Sequence, residues 1–407
     1  MDRPTACDAF PIRTFYSFHP DANINYQLNR ALFHGAEELF ARTGKKIRNY
    51  EDWKVEFFAA AQERERRGDI RSAAELYRAA EFFISASDPD RRVAYEKFFN
   101  LFYEADPEAA DARTSVPYDQ GRMHALALRP EGASRGRIVI HAGFDAYIEA
   151  FFTLAQYLCG SGFDVVIFDG PGQGSTLMRE RMPMIPDWEK PVTAVLDHFS
   201  FDDVTLIGLS LGGYLALRAA AFEPRIKRVI ACDVMLDFFR CVASRRGRLA
   251  ELILRFLVTM RARTLLDLVA CTMMRHDLYS KWGIEQGMHV MGRSRPAEYF
   301  FDMREYNTRR ISPLLTQDVL IMAGAEDHFV PLEQFYQQLR LLTKAGSVTG
   351  RIYTSAEQAQ SHCQIGNFGL AAREMLTWMR ACHYCCGISC GFWCSGSSCY
   401  LAAVPAA

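Results

Sequence analysis

Residues 206–215 read LIGLSLGGYL: an apolar run reaches Gly208, one hydroxyl stands at Ser210, and the run turns apolar again after Gly212. The five residues Gly208-Leu209-Ser210-Leu211-Gly212 fit a sharp strand-to-helix turn, with VTLI as the strand before it and YLALRAAAF as the helix behind. Glycine at 208 and 212 relieves crowding against the neighbouring strand and helix. A helix that starts at Leu211 directs its unpaired first-turn N–H groups at any negative charge near the serine. A serine hydroxyl is a poor nucleophile until a base removes its proton. The remaining sequence therefore has to supply a base, an acid and hydrogen-bond donors.

In a fold that uses this turn, acid and base follow the nucleophile in the order Ser, Asp, His. His362, in SAEQAQSHCQIGN, lies beyond the last expected strand and just before the helix LAAREMLTWM. His141 belongs to the loop after RIVI, His328 directly follows a candidate acid, and His383 falls near the C-terminus, so each suits the role less well. The acid is expected at Asp327 in VLIMAGAEDHFVP, one short loop after a strand, where it fixes the imidazole tautomer. For the oxyanion, one donor is expected from Leu211 N–H and a second from the HAGFD loop, at Gly143 or Phe144. Asp145 and Tyr147 in that loop either touch substrate or hold the loop by local hydrogen bonds. FDGPGQG (168–174) lacks the spacing and the lysine of a phosphate loop, so Asp169 and its glycines read as a structural turn. No His, Cys or carboxylate pair in the core has metal spacing, and no cofactor is implied.

Around this constellation, short apolar strands (RMHALALRP, RIVIHAGF, FDVVIFDG, DDVTLIGL, RIKRVIACD, TQDVLIMAG, VTGRIY) alternate with helical stretches. That alternation predicts an α/β fold with a mostly parallel sheet covered on both faces, and a site at the carboxyl ends of the strands. More than 80 residues separate RVIACD from the next strand, so a helical cap insertion is expected at about 237–312. Leu252, Phe256, Met260, Met273, Met274, Met288 and Met291 would there either meet a bulky hydrophobic product or pack the cap helices. Residues 1–115 form an N-terminal helical domain. In it YQLNRALFHGAEELFART reads as a helix and Asp52 as the N-cap of the next. The core then runs from 116 to 381.

The chain has 407 residues, 49% hydrophobic and 23% charged, with net charge −1, which gives no reason to expect nucleic acid as a partner. No run reaches the roughly 18 apolar residues of a membrane span. The N-terminal MDRPTACDAFPIRTF has no secretory apolar stretch, so the scattered cysteines read as reduced thiols of a cytoplasmic protein. Six of the twelve cysteines crowd residues 382–407, a Cys- and Gly-rich tail read as a disordered end without a part in catalysis.

Taken together, HAGFD, FDGPGQG, GLSLGG, AGAEDHFVP and SHCQIGN resemble the α/β-hydrolases from about residue 118 to 381. With N-terminal helices added, the chain is similar to the branch that includes dihydroxypseudooxynicotine hydrolase and fungal hydrolases that shorten or cyclise polyketides. The resemblance implies Ser210 as nucleophile, Asp327 as acid and His362 as base. It also implies N-terminal helices that wall the substrate cleft and contribute to homodimer contacts. The function expected is a serine hydrolase acting on a hydrophobic ketone, β-dicarbonyl, ester or polyketide-derived substrate in fungal secondary metabolism. The alternatives are a cyclase or acyltransferase using the same triad, and a non-catalytic interaction protein. The tail, and HAG where the branch more often has HGG, depart from the pattern.

Overall fold

The computed structural model describes Phe10 and residues 14–387. Among the described residues six helices come before the sheet: Ala22–Ala31, Glu37–Gly44, Tyr50–Arg66, Ile70–Glu81, Pro89–Ala105 and Pro107–Asp111. The stretch expected as one helix from Tyr26 onward is two, because the chain turns at Gly35 with φ +77. Leu28, Leu32 and Ala36 are buried all the same, since the turn keeps them facing one core. Asp52 is not the N-cap expected of it. Asn49 has extended backbone and its side chain accepts the Asp52 N–H at 2.9 Å, while the Asp52 carboxylate takes the Arg48 N–H.

The sheet has eight strands: β1 Arg113–Tyr118, β2 Gly121–Leu128, β3 Arg137–His141, β4 Asp164–Asp169, β5 Val204–Leu209, β6 Ile226–Cys232, β7 Asp318–Gly324 and β8 Ser347–Tyr353. Their spatial order is β1-β2-β4-β3-β5-β6-β7-β8, with β2 antiparallel to both neighbours and every pair from β4 to β8 parallel. The edge strand β1 has no counterpart among the expected strands. Pro117 interrupts its pattern, and only at an edge is the missing N–H harmless.

Every residue of β5 is buried, as the centre of a sheet covered on both faces requires. The chain passes from β3 outward to β4 and returns across β3 to β5, so the loops after β3 and β5 flank the point where strand order reverses. The register aligns His141 with Gly208, Gly208 with Ala231, and Cys232 with Leu209 and Met322. The residues that follow β3, β5, β6 and β7 therefore emerge side by side on one rim.

Between β6 and β7 lies the cap: helices Phe238–Ala243, Arg248–Thr259, Arg263–His276, Leu278–Val290 and Pro296–Asp302. The N-terminal helices close over the same rim. Trp53 Nε1–H donates to Ala79 O at 2.7 Å within them, and Tyr50 Oη–H reaches the cap at Leu278 O. Deeper in, Glu81 accepts from Arg91 at 2.7 Å and from Arg78 at 2.8 Å, while Arg91 also donates to Gln286 of the cap at 3.0 Å.

Burial alone would push the Glu81 carboxyl up, but Arg91 and Arg78 outweigh it and hold the group below its usual range. A carboxyl held low in the fold contributes stability that is present above its unfolded pKa and lost as pH falls through the folded one. Arg91→Ala leaves the buried carboxylate with Arg78 as its cation and should destabilise the chain by about 2–3 kcal/mol in urea unfolding at neutral pH, with a smaller deficit in acid.

The last helix, Phe368–Gly387, carries six residues of the tail expected to be disordered (382–387). The remainder of that tail lies outside the described residues.

Candidate active site

Ser210 follows β5 directly and holds φ +62, a left-handed backbone that a serine adopts only under constraint. Its N–H donates to Cys232 O at 2.6 Å and its carbonyl accepts from Gly213 N–H at 2.8 Å. A Cβ at Gly208 would run into the carbonyl of Gly212, so the glycine spacing is what lets the helix Gly212–Phe222 fold back on the strand.

The structure brings Ser210, His362 and Asp327 together. His362 Nε2 lies 2.8 Å from Ser210 Oγ, and His362 Nδ1 lies 2.6 Å from Asp327 Oδ2. In the neutral ring, the carboxylate at Nδ1 keeps the proton on that nitrogen and leaves Nε2 free to accept from the serine. Asp327 is itself oriented by its backbone turn: its Oδ1 accepts from Phe329 N–H at 2.7 Å and Val330 N–H at 3.1 Å.

Burial lowers the affinity of His362 for its proton, but Asp327, Cys363 and Asp233 outweigh it and raise the pKa well above the ordinary value. The other histidines are placed differently. His141 is enclosed below Trp188 with its pKa pushed down to about 4 by burial, and His328 is pushed down to about 3 by the same cause.

The HAGFD loop after β3 lies against the elbow. A Cβ on Gly143 would stand 2.6 Å from Leu211 N and 3.0 Å from Gly212 N, so the backbone approaches the serine at a distance only glycine permits. Gln173 orients this loop: its Nε2 donates to Ala142 O at 2.5 Å and to Gly143 O at 3.1 Å, while its Oε1 accepts from Gly170 N–H. Gln286 of the cap adds a donor to Phe144 O at 3.3 Å. Gln173 sits in the FDGPGQG turn that reads from sequence as structural. A long amide between two glycines beside the nucleophile is the signal that marks it.

Asp145 lines the cavity, but its carboxylate is paired with Arg30 at 3.0 Å and its carbonyl accepts from Arg78 at 2.7 Å. Tyr147 is not among the residues lining the cavity that holds Ser210. It is buried against Tyr95, ring centroids 5.6 Å apart, with the Arg78 guanidinium 4.4 Å over its face. Of the two, only Asp145 reaches the cleft, because the N-terminal helices pack onto the far side of the loop and enclose Tyr147.

Ser210 and His362 open into a cavity of about 310 Å³. The N-terminal helices contribute Tyr26, Arg30 and Phe82 to its wall, the β3 loop Phe144, and the cap Phe238 and Trp282. Tyr26 Oη–H also donates to His362 O at 3.1 Å, a link to the site from the first helix that strand-end reasoning does not reach. Of the seven apolar cap residues singled out from the sequence, Met273 alone lines the cavity. Leu252, Phe256 and Met260 are 55%, 61% and 59% exposed, because their helix turns the opposite stripe, with Leu254 and Val258, inward. Met274 and Met288 pack against the core and Met291 is buried in it.

Sequence spacing suggests no metal set, yet folding gathers one nitrogen, oxygen or sulfur atom each from Asp233, His362 and Cys363 within 4.8 Å of one another. Both imidazole nitrogens there are already engaged in hydrogen bonds, Nε2 with Ser210 and Nδ1 with Asp327. Among the described residues, no helix is long and apolar enough to cross a membrane.

A strained serine after the central strand, hydrogen-bonded to a late histidine beneath a helical cap, defines the α/β-hydrolase class of protein. The chain belongs to it: residues 136–346 match the alpha/beta hydrolase fold family. Among curated proteins it is similar to Hydrolase LUC6 of Fusarium sp, 25% identical over 352 residues that cover 77% of this chain and 80% of the relative. It is also similar to 20-hydroxy-prefusarin hydrolase FUS2 of Gibberella moniliformis, 28% identical over 338 residues that cover 75% and 78%.

Among solved structures, 2,6-dihydroxy-pseudo-oxynicotine hydrolase superposes with a TM-score of 0.59 at 21% identity, over 87% of this chain and 94% of that one. Wild-type AbyA5 superposes with a TM-score of 0.63 at 19% identity, over 88% and 95%. These two matches extend over the N-terminal helices as well as the core. The chain is a hydrolase of this superfamily, suited to small hydrophobic substrates.

Proposed function

We propose that the protein is a serine-nucleophile hydrolase of fungal secondary metabolism. On this reading it cleaves an ester, or a carbon–carbon bond beside a ketone, in a hydrophobic polyketide-like substrate. The observation that carries it is the chain Ser210 Oγ–His362–Asp327, at 2.8 and 2.6 Å, opening onto a largely apolar cavity.

On this reading the substrate carbonyl lies between Ser210 Oγ and the N–H groups of Leu211 and Gly143 or Phe144. His362 Nε2 takes the hydroxyl proton as Oγ bonds to the carbonyl carbon, and the oxygen becomes an oxyanion facing those amides. The adduct collapses when the imidazolium returns the proton to the departing group. That group is an alcohol, or a carbon whose charge a neighbouring carbonyl holds. Water, deprotonated by His362, then attacks the acyl-serine and releases the acid. The similarity to a relative named for hydrolysis of 20-hydroxy-prefusarin supports the substrate class.

The test is turnover in ¹⁸O-water with esters, β-diketones and polyketide-like compounds, with products identified by mass. Each acid formed should carry one ¹⁸O. A product lighter than substrate by water or alcohol, with no labelled acid, would make the enzyme a cyclase that keeps water from its second step.

A further inference from the structure

We infer that Asp233 is a second carboxylate for the His362 imidazole, a positioning residue that shares the Nδ1 proton with Asp327. The inference rests on the catalytic reading of Ser210 and His362 and adds a member to it.

Asp233 directly follows β6, one strand over from the serine and next to the strand that carries Asp327. It is 1% exposed, and its Oδ2 lies 3.1 Å from His362 Nδ1, against 2.6 Å for Asp327 Oδ2. The same Oδ2 accepts the Cys363 N–H at 2.6 Å, and Oδ1 accepts from Gln364 Nε2 at 3.0 Å. Asp327 takes its own bonds from Phe329 and Val330. The two carboxylates are thus anchored by separate donors and converge on one ring nitrogen.

The segment Asp233 holds is the strained one: Cys363 and Gln364 have φ +49 and +51, left-handed values that need outside support. A buried carboxylate without a cation is costly. Among the described residues His362 is the ion-pair partner of Asp233, and that partner becomes cationic when Ser210 gives up its proton.

An ordinary triad loses about 10⁴-fold when its Asp becomes Asn, because the imidazole then adopts the wrong tautomer. Here a second carboxylate still holds the proton on Nδ1 after that change. Other titratable groups around the ring are Cys363 and Cys232, Tyr26 from the N-terminal helices, His328 beside Asp327, and Cys241 and Tyr279 from the cap. None of these places an oxygen on Nδ1.

The experiment measures the second-order rate of fluorophosphonate labelling against pH for wild type, Asp233→Asn, Asp327→Asn and the double variant. Asp327→Asn should lose only about 10²-fold where a single-acid triad loses about 10⁴-fold, and the double variant should reach the full loss. Asp233→Asn should move the acidic limb of the profile to lower pH, since the imidazole loses one of the charges that raise its pKa, and should label within about tenfold of wild type on the alkaline side.

A full loss in Asp327→Asn that the second substitution does not deepen, or an unmoved limb in Asp233→Asn, would overturn the inference. If Asp233→Asn does not fold, Asp327→Asn decides alone. A low-field imidazole N–H resonance that persists and titrates in it supports Asp233 as acceptor, and its disappearance removes that role. Wild type that fails to label at all would instead sink the catalytic reading, so the two failures are told apart.

Discussion

Ser210→Ala is expected to abolish fluorophosphonate labelling and to lower turnover by about 10⁶-fold, the scale on which loss of a serine nucleophile removes the whole cooperating unit. The reasoning is geometric. Oγ lies 2.8 Å from His362 Nε2 at the mouth of the cavity, and Ser210 is the half-exposed residue of an otherwise buried strand and turn. Alanine keeps the Cβ and accepts the same backbone, so thermal stability should stay close to wild type. The residual rate should equal what binding and the backbone donors alone provide. Labelling that persists in the variant would show that another residue attacks the probe, and the reading of Ser210 would have to be abandoned.

The second large effect is expected at Gly143. Gly143→Val places a branched side chain where even a Cβ stands 2.6 Å from Leu211 N and 2.9 Å from Leu209 O. The loop has to withdraw from the elbow, pulling its amide away from the developing oxyanion and loosening the Gln173 bonds to Ala142 O and Gly143 O. Loss of one such donor costs about 10²–10³-fold in kcat. The donor acts on charge that exists only in the transition state, so KM should move far less than kcat. Steady-state kinetics on a p-nitrophenyl ester separates the two parameters. An unchanged kcat with a raised KM would mean that the β3 loop only lines the cleft.

The candidate site was legible in the sequence because each of its three side chains is tied to a strand end. Ser210 is announced by its glycines, Asp327 by the loop after β7, and His362 by the segment that follows β8. Residues that emerge from adjacent parallel strands meet on one rim whatever packs around them.

Other features were not legible, for identifiable reasons. Strand β1 is masked by Pro117, tolerated because β1 is an edge. The single helix expected from Tyr26 hides a left-handed turn at Gly35, where the same inward spacing continues across the break. Asp233 carries a signal like that of Asp327, an acid at the end of a buried strand, but its target could not be read until β6 was known to lie between β5 and β7.

The sequence by itself determined seven of the eight strands, the elbow and the chain order of Ser210, Asp327 and His362, since alternation, turn chemistry and strand ends are local properties. Only the tertiary structure decided which side chains the cavity meets. Leu252 and Phe256 face outward, Tyr147 is sealed behind Asp145, and Tyr26 and Arg30 arrive from the N-terminus to wall the cleft. The reason is that an amphipathic helix apolar on both stripes does not specify which one turns inward. That choice is made by the surfaces it packs against, and those are brought together only by contacts far apart in the chain.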